Sequence, residues 1–351
     1  MRFSDKRRCG NLITPSRLTK ATVIFATVLS AVAVVENAAV GAPAYSIYEI
    51  QYTAEPNGSS PLEGQVVDCL GGIVTHKFGG FKPKLTIQDP NSPDGWGAIQ
   101  VKDWVNGALY DQASVGDWVM ISNAFVEEFR GNTILQCMAE FAPALTVVSH
   151  GNPIPEPLEI TAGAIAAPAP DLYGDWYVPD HSAEKYEHMR LRIRKVVVAE
   201  TDLGKAADNY AVQDVDDPNS ASWVTDYMNS DAEDYYHPYV SAGQTLCRIQ
   251  GILEQYTNIG SGWDYYQLVT TQTSDFVVSQ TADFNGDCDV DFVDFRSLAV
   301  NWRALDCLEQ PSACDGADVN EDGIVGIEDL AQFAQHWLVP EPHGALEQGA
   351  E

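Results

Sequence analysis

The segment Ile87-Gln88-Asp89-Pro90-Asn91-Ser92 recurs further along the chain as Val212-Gln213-Asp214, with Pro218-Asn219-Ser220 close behind. The two glutamines, Gln88 and Gln213, lie 125 residues apart. In each copy a short β-type run is followed by Pro, Asn and Ser, which are typical of turns. The pattern predicts that the chain contains one β unit twice.

A second pair of matching segments lies further along each copy. Val115-Gly116-Asp117-Trp118 opens an apolar run, and Ala242-Gly243-Gln244-Thr245 does the same 127 residues later. Each copy then ends in a short β run, at 144–148 and at 275–278. Two copies of about 125 residues, each with five or six strands, fit a small closed barrel such as the OB-fold.

Strand and spacer signals set the boundaries of these units. The first unit is predicted over 45–149 and the second over 150–280, with a Pro-rich spacer at 151–157. The strand candidates of the first unit are Val66–Thr75, Leu85–Gln88, Ala98–Val101, Trp118–Val126 and Thr133–Met138.

Short motifs of the first unit follow one another in a familiar order. A G-x-V motif comes first, then I-Q-D, then V-G-D-W-V, then an aromatic residue before a glycine. In this order the chain resembles OB-fold modules of secreted bacterial proteins, over 45–149 and, with fewer matching residues, over 150–280. The resemblance implies modules that bind or scaffold without catalysis and that also occur beside extracellular nucleases.

The composition limits which partners the chain can have. Its 351 residues include 20 Lys and Arg against 50 Asp and Glu, a formal charge of −30. Nucleic-acid binding depends on basic side chains that neutralise phosphates, and anionic membranes attract the same side chains. We therefore expect neither nucleic acid nor an anionic membrane as a partner. A neutral ligand, a metal cation or a protein remains possible.

Residues 1–44 have the pattern of a secretory signal peptide. A basic segment precedes the apolar run Ala21–Val35, and small residues lead to Ala44. The apolar run is shorter than the roughly 20 residues that span a bilayer. We expect cleavage near Ala44 and export of a chain without a membrane span. A retained N-terminal anchor is the alternative.

Six cysteines follow the predicted signal peptide, and in an oxidising compartment they can form disulfides. Cys69 and Cys137 fall in strands that a closed barrel would pair, so a disulfide between them is one expectation. Cys247 has no partner within its own unit and is expected to be buried. No CxxC pair is present, which disfavours a zinc site or a redox motif.

The β units offer few candidates for ligand binding or catalysis. Arg190, Arg192 and Arg194 alternate along one strand and share one face. That face could contact a carboxylated glycan or a nucleic-acid backbone, or it could pair with nearby acids. The tryptophans in loop-like contexts could stack on sugars or serve as packing; they are Trp96, Trp176, Trp223 and Trp263. No catalytic motif is found. A glycoside hydrolase with its catalytic residues among the barrel acids is therefore only the alternative function.

A twelve-residue acidic pattern occurs twice near the C-terminus, at 283–294 and 318–329. Ca²⁺ binds six to eight oxygen ligands, which alternate positions of a tight loop can supply. The predicted ligands are Asp283, Asn285, Asp287, Asp289, Asp291 and Asp294 in the first loop, and Asp318, Asn320, Asp322, Ile324 and Asp329 in the second. Asp289 and Ile324 would contribute backbone carbonyls. The following valines, Val290 and Val325, predict a short strand that pairs the two loops.

Each loop is followed by an apolar pattern at helical spacing, and the two patterns are offset by 35 residues. A duplicated unit of loop and helix, over 281–338, resembles the type I dockerin module. The resemblance implies two calcium ions and a cohesin-type protein partner, and it associates the chain with polysaccharide breakdown. Cys288 stands where the family has glycine, which suggests a disulfide with Cys307 or Cys314.

The partner-contacting positions of that family hold other residues here. Positions 10 and 11 are Phe292-Val293 and Ile327-Glu328, where Ser-Thr is common.

These observations together predict a mostly β chain with two small OB-like barrels, then a small α-helical dockerin with two calcium loops, then a flexible tail at 339–351. The expected function is that of a non-catalytic adaptor, with a polysaccharide as the candidate ligand; an accessory role beside a nuclease is a further alternative.

Overall fold

The computed structural model describes residues 42–338, except 81, 171–175, 178–180, 202, 204–208, 226–239 and 310–313. The predictions for the signal peptide before residue 42 and for the tail at 339–351 therefore lie outside the described residues. None of the helices in the described ranges is long and apolar enough to cross a membrane.

The first β unit begins with two short elements, β1 (Ala44–Tyr45) and helix α1 (Ile47–Gln51). Its remaining strands are β2 (Val66–Phe78), β3 (Lys84–Gln88), β4 (Ala98–Asp103), β5 (Trp118–Phe129), β6 (Asn132–Cys137) and β7 (Ala144–Ser149). Alternation explains why these segments are strands. In β5, Val119 and Ile121 are fully buried, whereas Trp118 and Met120 between and beside them are partly exposed.

Five of these strands close into a barrel in the order β2-β3-β4-β6-β5, because β5 also pairs with β2. The pairing of β4 with β6 is parallel, and the other four pairings are antiparallel. This strand order and the single parallel pairing give a five-stranded barrel of OB type. The predicted mostly β fold with an OB-like barrel is confirmed for this unit.

The second unit contains β8 (Leu158–Ile160), β9 (Ala169–Pro170), β10 (Trp176–Tyr177), β11 (Arg190–Thr201), β12 (Tyr210–Asp214), β13 (Asp217–Thr225), β14 (Thr245–Asn258), β15 (Trp263–Val269) and β16 (Phe276–Val278). Its barrel closes in the order β11-β12-β13-β15-β14, since β14 also pairs with β11. Again one pairing, β13 with β15, is parallel. The two barrels therefore share one topology.

The repeated Gly-containing segments occupy equivalent places in the two barrels. The Gly116 N–H donates to the Val74 carbonyl at 2.9 Å, and the Gly243 N–H donates to the Val198 carbonyl at 2.8 Å. Both glycines have a positive φ, 88° and 86°, a conformation that favours glycine. Each glycine thus makes the turn that leads into the fourth barrel strand.

Two α-helices, α2 (Phe292–Val300) and α3 (Ile327–His336), follow the barrels. Residues 282–337 have a separate small core, formed around Leu298, Phe333 and Val325. The barrels have larger cores of their own. We call residues 281–338 the C-terminal unit.

Hydrogen bonds join the two barrels around buried glutamates. Glu187 Oε2 accepts from the Thr133 N–H at 3.0 Å and from Gln51 Nε2 at 3.4 Å, both in the first unit. Tyr266 donates its hydroxyl to Glu184 Oε2 at 2.6 Å. Burial raises the pKa of Glu184 to about 8 and holds the pKa of Glu187 well above its usual range. Burial therefore disfavours the charged form of both carboxyl groups.

The disulfides differ from the predictions. Cys69 and Cys137 are both buried and unbonded, so the predicted disulfide between them is wrong. Cys288 is bonded to Cys247, not to Cys307 or Cys314, which are bonded to each other. The Cys247–Cys288 bond joins β14 of the second barrel to the first acidic loop. This covalent bond would be absent if the barrels and the C-terminal unit were joined only by a flexible linker.

The basic strand face is occupied by acids. Arg192 lies 3.5 Å from Glu156 and Arg194 lies 2.9 Å from Glu159. Of the two interpretations of this face, pairing with nearby acids therefore fits best.

The candidate tryptophans differ in burial. Trp223 is buried in the core of the second barrel. Trp96 and Trp263 are half-buried, and the side chain of Trp176 lies outside the description.

Glu184→Gln is predicted to flatten the pH dependence of stability. The pKa of Glu184 is about 8 in the folded chain and near 4.5 in an unfolded one, so its contribution is full below pH 4.5 and is lost as pH rises towards 8. Glutamine accepts the Tyr266 hydrogen bond without ionising. Melting temperatures measured from pH 5 to 9 should fall less for Glu184→Gln than for the wild type. The exposed Glu55→Gln serves as control, and equal slopes for all three proteins would contradict the prediction.

The Cys247–Cys288 bond is predicted to stabilise the C-terminal unit. It closes a sequence separation of 41 residues, for which loop entropy gives about 3–4 kcal/mol. Cys288 has φ of 72°, so glycine is the unstrained replacement. Cys247→Ala with Cys288→Gly should lower the free energy of unfolding by about that amount in urea titrations followed by circular dichroism. A loss below about 1 kcal/mol would contradict the entropic account.

Candidate calcium centre

The carboxylate of Asp294 organises the first acidic loop. One of its oxygens, Oδ1, accepts from the N–H groups of Phe284 and Asn285 at 2.7 and 3.2 Å. The other, Oδ2, accepts from the Asp291 N–H at 2.9 Å. Asp294 is fully buried in the first turn of α2, where a negative charge is favoured by the helix dipole. One side chain therefore closes the loop and starts the helix.

The first residues of the loop converge on the same centre. Asp283 accepts from the N–H groups of Asp287 and Cys288 at 3.1 and 2.8 Å. Asn285 Oδ1 accepts from the Asp287 N–H at 2.9 Å. One oxygen each from Asp283, Asp287 and Asp294 lie within 4.8 Å of one another. This spacing would let a single cation bind all three.

The second loop repeats these contacts at the matching positions. Asp329 accepts from Val319, Asn320 and Gly326 at 2.8, 3.1 and 2.7 Å. Asp318 accepts from Asp322 and Gly323 at 3.1 and 2.9 Å, and Asn320 Oδ1 accepts from Asp322 at 3.0 Å. Its three carboxylates do not meet the 4.8 Å spacing in the described part of the chain. The backbone frame is thus duplicated, and the carboxylates are drawn together more tightly in the first loop.

Positions 7 and 9 of the loops behave differently from one another. The side chain of Asp289 lies 3.7 Å from Lys195, which leaves its backbone carbonyl for the predicted role at position 7. Asp291 caps α2, because its Oδ1 accepts from the Val293 N–H at 2.7 Å. Gly326 stands at the equivalent position in the second loop. The side chain of Asp291 therefore has a role in helix capping that its assignment as a ligand did not include.

The prediction that Val290 and Val325 pair the two loops is wrong. The Arg303 N–H donates to the Val325 carbonyl at 2.9 Å, and the Leu338 N–H donates to the Val290 carbonyl at 3.2 Å. Arg303 and Leu338 follow the two helices at the same 35-residue offset. Each loop is therefore paired with the segment after the helix of the other repeat, which locks the two repeats together.

The donor set fits a hard divalent cation. The carboxylates and the amide oxygens at positions 1, 3, 5 and 12 are oxygen ligands of the type that Ca²⁺ prefers. The carboxylates at positions 1 and 12 of both loops are buried. No salt bridge to these side chains occurs among the described residues. Buried carboxylates without a compensating charge are costly, and a bound cation removes that cost.

The C-terminal unit also exposes an unusual amount of apolar surface. Phe292 is 72% exposed and Ile327 is 62% exposed; these residues occupy position 10 of the two loops. A groove of about 190 Å³ lies between the helices, lined by Phe292, Phe295, Leu330, Phe333, Ala334 and Trp337. About half of the large apolar side chains exposed among the described residues belong to this unit. Patches of this kind are typical of protein interaction sites.

Sequence reasoning found the acidic loops because their ligand spacing is local. It missed the connection of the first loop to the second barrel. Cys247 lies in β14, and only the folded chain brings it to Cys288. The signal that was available was the cysteine at a position where the loop favours glycine.

Comparison with protein-family models gives no match, and comparison with curated proteins gives none either. Among solved structures, the OB domain of MM0293 from Methanosarcina mazei is 16% identical, covering 26% of this chain and 78% of that chain with a TM-score of 0.21. The OB domain of Ta0387 from Thermoplasma acidophilum is 17% identical, covering 32% and 94% with a TM-score of 0.20. The Ifi202 HINa domain in complex with 20-bp double-stranded DNA is 11% identical, covering 59% and 92% with a TM-score of 0.29. The assignment of the barrels to the OB type rests on their strand order.

Proposed function

We propose that the chain is a secreted, non-catalytic adaptor whose C-terminal unit is a calcium-binding dockerin that docks onto a cohesin-type protein. The observation that carries this proposal is the duplicated hydrogen-bond frame around Asp294 and Asp329. Two loops that are 35 residues apart orient the same side-chain types with the same backbone contacts.

Each loop would hold one Ca²⁺ through its own oxygens. The first loop offers Asp283, Asn285, Asp287, Asp294 and the carbonyl of Asp289; the second offers Asp318, Asn320, Asp322, Asp329 and the carbonyl of Ile324. The bound ions would supply positive charge at the buried carboxylates. The protein supplies the rest of the arrangement through backbone amides that already hold Asp283 and Asp318 in place.

Charge repulsion makes this support necessary. Residues 281–338 contain 13 acidic side chains and two arginines, Arg296 and Arg303. A unit of this size buries too little apolar surface for a large stability margin. Calcium at 100 times its dissociation constant adds about 2.7 kcal/mol per site. The folded state of the unit would therefore depend on the ions.

The exposed apolar residues give the calcium loops a link to a partner. Phe292 and Ile327 are the first residues of α2 and α3, directly beside Asp291 and Gly326 at position 9. Because they directly follow the loops, we expect a change in either loop to shift the helix start that presents them. This supports a partner that docks only when calcium is bound. The exposed aromatic and branched residues would suit an apolar partner surface.

The barrels are proposed to carry the ligand of the adaptor. The interface glutamates with raised pKa, Glu184 and Glu187, are almost completely buried. Glycoside hydrolysis needs two carboxyl groups that face a bound sugar. Because these two are buried, they support a structural role and not a catalytic one.

Two disulfides among the described cysteines suit an oxidising compartment, in line with export.

Removal of calcium is predicted to unfold the C-terminal unit and leave the barrels folded. Addition of EGTA should reduce helical circular dichroism, and calcium should restore it. Asp287→Asn and Asp322→Asn each remove one ligand charge and should raise the calcium concentration needed for refolding by about tenfold or more. Asp306→Asn, outside both loops, is the matched control. Helical signal that is unchanged by EGTA would contradict the proposal.

Partner docking is predicted to require both calcium and the exposed residues at position 10. The full chain, immobilised in calcium, should capture a recombinant cohesin module and release it in EGTA. Phe292→Ser with Ile327→Ser should abolish capture while calcium binding is retained. Val215→Ser changes an equally apolar exposed residue on a barrel and should have no effect. Capture that persists in EGTA or in the double variant would count against this docking surface.

A further inference from the structure

The first barrel carries a pair of lysines that face each other across two strands. Lys84 in β3 lies directly opposite Lys102 in β4 in the antiparallel register. The neighbouring pair, Leu85 and Val101, is buried in the barrel core. Since successive side chains of a strand alternate between faces, the two lysines belong to the outer face of the barrel.

Two exposed aromatic rings lie beside these lysines. Lys82 Nζ lies 3.3 Å from the ring centroid of Trp104, which is 37% exposed. Lys102 is only 6% exposed, and its Nζ lies 3.7 Å from the centroid of Phe129, which is 38% exposed, and 5.5 Å from that of Trp104. We call Lys82, Lys84, Lys102, Trp104 and Phe129 the lysine–aromatic patch.

This arrangement costs the barrel stability. Like charges directly opposite one another on a sheet are destabilising. Burial, Lys84 and Lys82, in that order, lower the pKa of Lys102 to about 8, against the opposing effect of Glu127 and Glu254. The ammonium group is therefore held in a place where an additional negative charge would be favoured.

The barrel architecture does not require lysines at these positions. In the second barrel, the repeat offset of 125 residues places Asn209 where the first barrel has Lys84. Thr225 is its counterpart when the pairing of Tyr210 with Val224 is extended by one residue. Both are buried and neutral. The lysine pair is thus specific to the first barrel, where Glu127 and Glu254 offset part of its charge.

We infer that the lysine–aromatic patch binds an oligosaccharide that carries carboxylates, such as a short chain of uronic acid units. A carboxylate would lie between the ammonium groups of Lys84 and Lys102, and Trp104 and Phe129 would contact the apolar faces of sugar rings. The patch lies on the second and third barrel strands, a face that OB-folds use for oligomeric ligands.

The observations favour a sugar over single-stranded nucleic acid. An OB-fold that binds single-stranded nucleic acid contacts about 4–16 nucleotides, and the phosphates along that whole path need basic side chains to neutralise them. Three lysines in a chain of formal charge −30 can satisfy a few carboxylates only. The inference rests on the proposal that the barrels are the ligand-carrying part of the adaptor, but it does not depend on calcium or docking.

The test uses isothermal titration of the full chain with trigalacturonate, in EGTA and separately in calcium. Binding is expected in both buffers, weaker at high salt, and much weaker for neutral trigalactose. Lys84→Asn with Lys102→Thr installs the residues that the second barrel already accommodates, and should weaken binding about tenfold or more. Arg296→Met with Arg303→Met changes the net charge equally in the C-terminal unit and should bind as the wild type does.

Several outcomes would overturn the inference. Wild-type protein that does not bind trigalacturonate, equal binding by the lysine variant, or binding of a thymidine 20-mer in place of the sugar would each contradict it. Trp104→Ala provides a second variant that does not alter the lysine pair, and unchanged affinity there would contradict the role of the aromatic ring. Calcium binding measured on the lysine variant separates this result from the proposed function, because that binding should be retained.

Discussion

Two buried aspartates hold the C-terminal unit together. Asp294 and Asp329 each accept three backbone N–H groups, two from the start of the acidic loop and one from the residue before the helix. Without these contacts neither the loop nor the first turn of the helix would have a fixed position. The remaining oxygen ligands, the paired segments at Arg303 and Leu338, and the exposed apolar helix starts all depend on this frame.

The disulfide between Cys247 and Cys288 extends that frame to the barrels. Cys288 lies in the first loop and its N–H binds Asp283, so the loop is tied covalently to β14 at the point where its carboxylates converge. The ion pair of Lys195 with Asp289 adds a second contact between the same parts. This attachment makes the first loop different from the second, in which Gly323 replaces the cysteine. We expect the tethered loop to lose less conformational entropy when it binds an ion.

Local patterns in the sequence predicted most of the fold, because their physical causes are local. Alternating burial and turn residues located the strands of the first barrel to within a few residues, and the repeat at Gln88 and Gln213 indicated two related units. The ligand spacing of the acidic loops and the helical spacing after them predicted the positions of the loops and helices, with Asp294 and Asp329 as ligands. The backbone contacts of these two aspartates were found only in the structure. The calcium ions and the cohesin-type partner remain predictions.

The sequence did not predict contacts between distant segments. The bond of Cys247 to Cys288, the pairing of Val290 with Leu338, and the register of Lys84 with Lys102 depend on how the barrels close and pack. Each of these joins residues whose proximity no spacing rule encodes. Lysines close to Trp104 in the sequence are an available signal for the lysine–aromatic patch, because basic residues are few in so acidic a chain. Only the strand register shows that Lys84 and Lys102 lie opposite one another.

The calcium content of the purified chain tests the central claim most directly. Native mass spectrometry of the protein after dialysis against micromolar calcium should show two bound ions per chain. Asp287→Asn or Asp322→Asn should each reduce this number to one. A wild-type chain that binds no calcium, or that keeps two ions in both variants, would contradict the account of the acidic loops.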